Sequence, residues 1–297
     1  MSARTVGRVT VRHPEKVMYP ATGTTKGELV DYVLTVAPAL LAQLRGRPVT
    51  RVRLPDGTGG ERFFEKNVPR GAPAWLRHRV LHAAPGATDE GKDVDLPFLD
   101  DVDGIVWALN LGALELHTPQ WRVGPRGGVR RPDRLVVDLD PGPPAGLAEC
   151  VAVAHLVAER LRADGLEPVP VTSGSKGLQL YAPLDGSAAP MRVHAYARSL
   201  ARGLAADHPG LVLSTSSRAE RAGKVFVDWS QNHPAKTTIT PYSLRAREEP
   251  RVAAPRTWDE LDAAPLRQLD FREVAERYVR DGDLYPWDHP GAPLPRP

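Results

Sequence analysis

The chain has 297 residues, 41% hydrophobic and 25% charged, an ordinary globular composition with enough chain to bury its own core. Its formal charge of +3 permits a polyanionic partner without demanding one. The single cysteine, Cys150, excludes an internal disulfide and a cysteine-built zinc site and points to a reducing, cytoplasmic setting. No stretch reaches membrane-spanning length, and Met1 to Val6 lacks the apolar core of a signal peptide.

In chain order, residues 1–20 read as an extended segment. Thr25 is placed to cap a helix opening at Lys26, with Glu28 in its first turn. Leu29, Val33, Val36, Leu40, Leu41 and Leu44 continue as one helical stripe. Strands are predicted at Pro48–Leu54, Arg62–Lys66 and His78–Ala84, a helix over Phe98–Gly112, and a strand at Ala113–His117. Leu135 to Asp140 is an apolar strand stopped by Pro141-Gly142, and a helix is predicted over 147–163. Strands at Glu167–Thr172 and Leu178–Tyr181 flank a tight Ser173–Gly177 loop, as in a hairpin. A helix at 190–207, a short strand at Lys224–Trp229 and short helices carrying Trp258, Leu261 and Leu269 follow, and the Pro-rich end is expected to fray. Strands and helices mix without strict alternation, which predicts an α+β fold. The expected organisation is a single two-lobed domain, with a lobe of about 1–112 packed on a core of about 113–285 and a tail at 286–297.

Asp138 and Asp140 are the sharpest feature. Residues two apart on a strand share a face, so the two carboxylates lie side by side at a strand end. Like charges that close stay ionised only with a cation between them or water around them. Mg²⁺ or Mn²⁺ suits all-oxygen ligands, and a solvated turn is the alternative. Asp228, again at a strand end, is the candidate third ligand, and taken without its neighbours it reads more readily as a capped turn residue. Three such carboxylates are a minimal cage for two ions in phosphoryl transfer.

Ser173-Gly174-Ser175-Lys176-Gly177 is a candidate phosphate cradle, its glycines freeing backbone N–H groups and Lys176 adding charge. It lacks Walker spacing, and an ordinary hairpin turn is the alternative. Arg245 and Arg247 alternate and, if extended, face one way to grip a triphosphate, and a solvated basic strand is the equal alternative. Gln231, Asn232, Lys236 and Thr237 follow Asp228 closely. His117 ends its strand, and a lone histidine there is more often structural. Phe63-Phe64 reads first as core, and as a stacking platform only if a ring is exposed. The chain has seven lysines among 39 basic residues, so the lysines kept in loop motifs, Lys16, Lys26, Lys66, Lys92, Lys176, Lys224 and Lys236, are candidates for work an arginine fork does less well.

Val137-Asp138-Leu139-Asp140-Pro141-Gly142, Thr172-Ser173-Gly174-Ser175-Lys176-Gly177-Leu178 and the segment from Arg221 through Lys224 and Asp228 to Asn232 resemble the three signature motifs of bacterial ligase D polymerase domains, in the archaeo-eukaryotic primase superfamily. The likeness extends to His13–Lys16, Thr24–Gly27, Arg62–Asn67, Leu114–His117 and Pro241–Arg245, nearly the whole chain in order. It implies a primase-like core, with mixed and antiparallel sheets flanked by helices, that adds nucleotides at DNA breaks or gaps. A preference for Mn²⁺ and for ribonucleotides goes with it. The resemblance assigns metal binding to Asp138, Asp140 and Asp228. Nucleotide contacts fall to Arg53, His117, Ser173, Lys176, Gln179, Gln231 and Arg245. Lys16 and Lys26 would take a 5′-phosphate, Phe63 and Phe64 would stack on template, and Lys66, Arg221 and Lys224 would contact DNA. Implied partners are gapped or broken DNA, nucleoside triphosphates, the end-binding protein Ku and a DNA ligase, in a nucleoid-associated cytoplasmic setting without membrane. Two departures stand out. Gln179 replaces the family's usual histidine, and Val52 stands between Arg51 and Arg53 where a lysine is common. A DNA-end-binding module with weakened or lost catalysis is the second reading that these departures raise. A haloacid-dehalogenase-type phosphatase is a third, disfavoured because Pro141-Gly142 follows the Asp-x-Asp.

Overall fold

The computed structural model describes residues 3–263, 265–285 and 291–295. The chain opens with two hairpins, β1 (Ala3–Val6) with β2 (Val9–Arg12) and β3 (Val17–Tyr19) with β4 (Thr24–Thr25). The first twenty residues are therefore largely paired strand rather than one extended segment. α1 (Lys26–Thr35) begins where Thr25 caps it. The Thr25 hydroxyl accepts from the Glu28 amide at 3.4 Å, and the Glu28 carboxylate accepts from the Thr25 amide at 2.8 Å. The stripe predicted as one helix folds as two, with α2 (Ala37–Leu44) bent 77° from α1. Pro38 is the cause. It has no amide hydrogen, and its ring would strike the Leu34 carbonyl of an unbroken helix.

Next come β5 (Thr50–Arg53), β6 (Phe63–Glu65), β7 (His78–His82), β8 (Asp93–Pro97), α3 (Val102–Asn110) and β9 (Ala113–Thr118). β7 and β8 pair with each other alone. β8 has only Val94 and Leu96 between carboxylates, too short a pattern to announce a strand. The chain continues through β10 (Arg134–Pro141), α4 (Leu147–Ala163), β11 (Val169–Thr172), β12 (Leu178–Pro183), α5 (Pro190–Asp207), β13 (Val212–Leu213) and β14 (Val225–Asp228). β15 (Thr238–Ile239), β16 (Ala254–Pro255), α6 (Trp258–Asp262) and α7 (Phe271–Asp281) complete it.

A six-stranded sheet runs β13-β14-β10-β12-β11-β16, antiparallel except between β13 and β14. A four-stranded antiparallel sheet runs β15-β9-β5-β6. Strand alternation divides β10 between its two faces. Leu135, Val137 and Leu139 are buried against α4 (Val153, Val157) and α5 (Val193, Ala197), each large side chain contributing roughly 1.5–3 kcal/mol by leaving water. Val136, and with it Asp138 and Asp140, lies on the opposite face, where Val136 packs with Tyr181 and Ile239. Because Ile239 belongs to the four-stranded sheet, the acidic face of β10 looks onto the seam between the sheets.

The second core gathers α1, α2, α3 and β9, and Phe271 and Val274 of α7 return to it. Residues from both sides of position 112 thus build this core. Leu269 precedes α7 rather than lying on a helix. Residues 286–290, 296 and 297 of the expected frayed tail lie outside the described residues. Within 291–295 the tail is packed: Ala292 bridges Leu184, and Leu294 is buried in the α4–α5 core. The apolar contact of Leu294 outweighs the local proline content. Among the described residues no single helix is long and apolar enough to cross a membrane.

Candidate nucleotide and metal site

Register brings the acids together. On β10, Asp138 stands opposite Asp228 of β14 on one side and Gln179 of β12 on the other. Asp138 and Asp140 share their face by the two-residue period. Burial pushes the Asp138 carboxyl well above the usual range, and the charges of Asp140 and Asp228 push it the same way. Such a site favours a bound cation, because a cation restores the ionised form that burial and like charge oppose. The donor set is all oxygen and suits a hard divalent ion. The three carboxylates do not converge as they stand. Asp228 accepts from the Ser230 amide at 3.0 Å, the Ser230 hydroxyl at 2.6 Å and the Gln231 amide side chain at 2.9 Å. Among the described residues no three acids, histidines or cysteines form a ready ligand group. The residues fit the ions in chemistry and in shared face, with Asp228 held by its own turn.

A cavity of about 230 Å³ opens over this face. It collects His117, Asp138, Asp140, Ser173, Lys176, Gln179, Gln231 and Arg245 from the sequence candidates, together with Arg247. Ser175, Thr237, Thr238 and Ile239 also line it. Thr238 and Ile239 come from β15, a two-residue strand with no sequence signal.

The Ser173–Gly177 loop is built differently from the expected nest of free amides. The Ser173 amide donates to the Gly177 carbonyl at 3.0 Å, and the Gly174 amide to the Gln268 side chain at 2.7 Å. The Ser175 and Gly177 amides both donate to the Ser173 hydroxyl oxygen. These amides already have partners, so what the loop offers the cavity is Ser173, Ser175 and Lys176. The glycines are required by crowding. Gly174 has φ +69°, and a Cβ there would lie 2.7 Å from the Val252 backbone. One on Gly177 would lie 2.1 Å from the Leu139 carbonyl oxygen.

Glu115, fully buried on β9, organises the opposite wall. The His117 Nε2 lies 2.8 Å from its carboxylate, which fixes the ring proton on that nitrogen. The Ala246 amide donates to Glu115 at 3.0 Å, Arg62 at 3.3 Å, and the Arg245 guanidinium lies at 3.5 Å. Burial works to raise the Glu115 pKa. The His117 bond, the charges of Arg245 and His117 and the Ala246 amide overcome it and hold the carboxyl at about 2. A lone acid in the apolar run Leu114-Glu115-Leu116 was the available signal for this residue, since a buried acid needs partners.

The other candidates are placed as follows. Lys16 and Lys26 are brought together by the β3–β4 hairpin, through the Lys26 amide donating to the Lys16 carbonyl at 2.8 Å. Lys16 pairs with Asp56 at 2.9 Å. Lys26 is only 6% exposed and donates to the carbonyls of Arg12 and Asn110. Burial, and after it the charge of Lys16, lower its pKa. Phe63 and Phe64 are 39% and 59% exposed on β6, contrary to the core reading, because β6 is the edge strand of its sheet. The Phe64 ring stands edge-on to His117 at 6.4 Å. Arg53 donates to the Leu111 carbonyl and to Glu65 and does not line the cavity. Val52 lies in the apolar core, so its missing cation leaves no gap beside the nucleotide cavity. Lys66 pairs with Asp89 at 2.7 Å, away from the acids. Arg221 and Lys224 lie in the loop before β14, where the Lys224 carbonyl accepts from Gly142 at 2.8 Å and Arg221 covers the Phe226 ring.

With this geometry the chain belongs to the LigD primase-polymerase domain family, a class of DNA nucleotidyltransferases, and the family model matches residues 25–285. Among its relatives is the multifunctional non-homologous end joining DNA repair protein LigD of Mycobacterium tuberculosis, 46% identical over 289 residues, which are 96% of this chain and 37% of that protein. LigD of Pseudomonas aeruginosa is 33% identical over 286 residues, covering 96% of this chain and 33% of its own length. The chain therefore spans well under half the length of these relatives. The solved polymerase domain of Mycobacterium tuberculosis Ligase D in complex with DNA superposes with a TM-score of 0.88 at 46% identity, covering 93% of this chain and 96% of that one. The α+β expectation and the family resemblance are both borne out.

Proposed function

We propose that this chain is a template-dependent nucleotidyltransferase that adds nucleotides, with ribonucleotides preferred, to primer ends at DNA gaps or breaks during end joining. The observation that carries the reading is one cavity in which two strand-end carboxylates face Lys176, Arg245 and His117. Asp138, Asp140 and Asp228 would hold two divalent ions, Mn²⁺ or Mg²⁺. Bound there, such ions supply Lewis-acid activation of the primer hydroxyl and neutralise the leaving pyrophosphate. Lys176, Arg245 and Arg247 bind the triphosphate oxygens as fixed cations. Ser173, Gln231 and Glu115-anchored His117 orient the nucleotide by hydrogen bonds. Lys16 and Lys26 take the downstream 5′-phosphate, and the exposed Phe63 and Phe64 rings stack on template. Arg53, Lys66, Arg221 and Lys224 contribute charge along the DNA path. Ku and a DNA ligase are the proposed partners, in the cytoplasm at the nucleoid. The ribonucleotide preference, the two-ion chemistry and these partners rest on the family resemblance.

A gapped, 5′-phosphorylated duplex supplied with Mn²⁺ and nucleotides tests the reading. Incorporation directed by the template base, and lost in Asp138→Ala, supports it. The alternative is an end-binding module without catalysis, favoured by the neutral Gln179 amide bonded to Asp138. Tight end binding with no incorporation at high nucleotide would establish that alternative instead.

A further inference from the structure

A second cavity, about 180 Å³, lies under the β7–β8 hairpin. Its walls are mostly apolar: Leu81, Ala84 and Ala87 from the hairpin and the turn after β7, Trp121 after β9, and Ala235 before β15. The Trp121 indole is fixed by its N–H donating to the Pro234 carbonyl at 2.9 Å. This space is unrelated to the acids, yet Thr237 lines both cavities. Thr50, another wall residue, pairs in register with His117 of the nucleotide cavity. The two spaces are therefore neighbours across one strand and one threonine.

Size and charge narrow the occupant. Drug-sized ligands fill about 300–1,000 Å³, so about 180 Å³ suits a smaller group, of the size of a single ring system. Two lysines border it in a chain that keeps few. Lys66 is held by Asp89, whereas Lys236 is exposed and its ammonium makes no hydrogen bond or ion pair among the described residues. A mostly apolar cavity walled by a fixed indole, with an exposed ammonium at its edge, matches a nucleobase with its attached phosphate. Base stacking on aromatic side chains supplies about 1–3 kcal/mol and tolerates any base. We infer that this cavity holds an unpaired nucleobase of single-stranded DNA lying next to the nucleotide cavity, such as one in a 3′ overhang. This inference rests on the DNA-directed reading above.

The test places 2-aminopurine at each position of a 3′ overhang in turn and follows its emission as the full chain is added. One position is expected to be quenched several-fold by stacking, with the quenching lost in Ala87→Trp and in the milder filling variant Ala84→Leu. Both variants are checked for native melting. Lys236→Ala is expected to weaken overhang binding several-fold and to flatten its salt dependence. Quenching at no position, or quenching that persists in both filled variants, overturns the inference. So does an apolar dye that occupies the cavity and is not displaced by the overhang. Wild-type incorporation on a gapped duplex without overhang is measured separately. Incorporation without quenching sinks only the cavity assignment, and quenching without incorporation sinks only the polymerase reading.

Discussion

Asp138 and Gln179 face each other across β10 and β12, and the Gln179 amide donates to the Asp138 carboxylate at 3.1 Å. The Tyr181 hydroxyl lies 3.0 Å from the Gln179 side-chain oxygen and 2.9 Å from the Ile239 carbonyl, its one proton shared between the two acceptors. Gln179 is thus a neutral link between the acidic face and the seam, at a position where the motif resemblance leads one to expect a histidine. Its amide lowers the Asp138 pKa only against larger opposing effects of burial and of Asp140 and Asp228.

Restoring a cation there is expected to strengthen the nucleotide grip. One charge-assisted bond is worth roughly 1.5–3 kcal/mol, which is about tenfold to a hundredfold in rate. Gln179→His should therefore raise kcat/KM for nucleotide by at least about tenfold, most of it below pH 7 where the imidazole is charged. Steady-state incorporation at pH 6 and pH 8 checks this.

Glu115 is expected to act through His117 and Arg245. Glu115→Gln keeps an acceptor for the Ala246 amide but loses the charge that anchors both side chains. KM for nucleotide should rise about tenfold while DNA-end affinity changes little. Nucleotide titrations read beside end-binding anisotropy separate the two effects.

The same carboxylate sets an acid limit on stability. Its folded pKa of about 2 lies below an unfolded value of about 4.3. The depressed value means that its contribution is complete above about pH 4.3 and is lost as pH falls through that window toward 2. The magnitude is about 3 kcal/mol. Urea unfolding at pH 6 and pH 3 should show a loss in the wild type that is smaller in Glu115→Gln.

Gly174→Ala should damage the loop itself. It combines a left-handed backbone with a Cβ 2.7 Å from the Val252 backbone, and costs about 1–3 kcal/mol. Thermal melting measures the stability loss, and a rise in nucleotide KM reports the displaced Lys176.

Phe64 is more than half exposed, so Phe64→Ala should leave stability within about 0.5 kcal/mol. If it stacks on template, binding to gapped DNA should weaken by about 1–3 kcal/mol. Anisotropy with a gapped duplex and with a blunt one distinguishes stacking from general charge attraction.

The strand and helix pattern of β10, α4 and α5 was legible because long apolar periods dominate there, and the shared face of Asp138 and Asp140 followed from their two-residue spacing. The α1–α2 break was written in Pro38 but masked by the continuous stripe around it. Gln268 was not legible as a site residue, and Glu115 showed only as a lone acid in an apolar run, with no sign of its partners. They act through partners far away in sequence, such as Gln268 on Gly174 and Gly177, and local periodicity carries no trace of such pairings. Arg53 and Val52 show the converse. Their motif suggested the nucleotide site, but pairing with Glu65 and burial in the apolar core take them away from it.

Single-turnover extension of a primer on a gapped, 5′-phosphorylated duplex, with Mn²⁺ and a templated nucleotide, tests the central claim most directly when wild type is compared with Asp138→Asn and Asp228→Asn. Templated extension by the wild type, reduced at least about a hundredfold in both variants with native melting retained, is the predicted result. Equal extension by all three proteins, or none by the wild type at saturating nucleotide and metal, would contradict it.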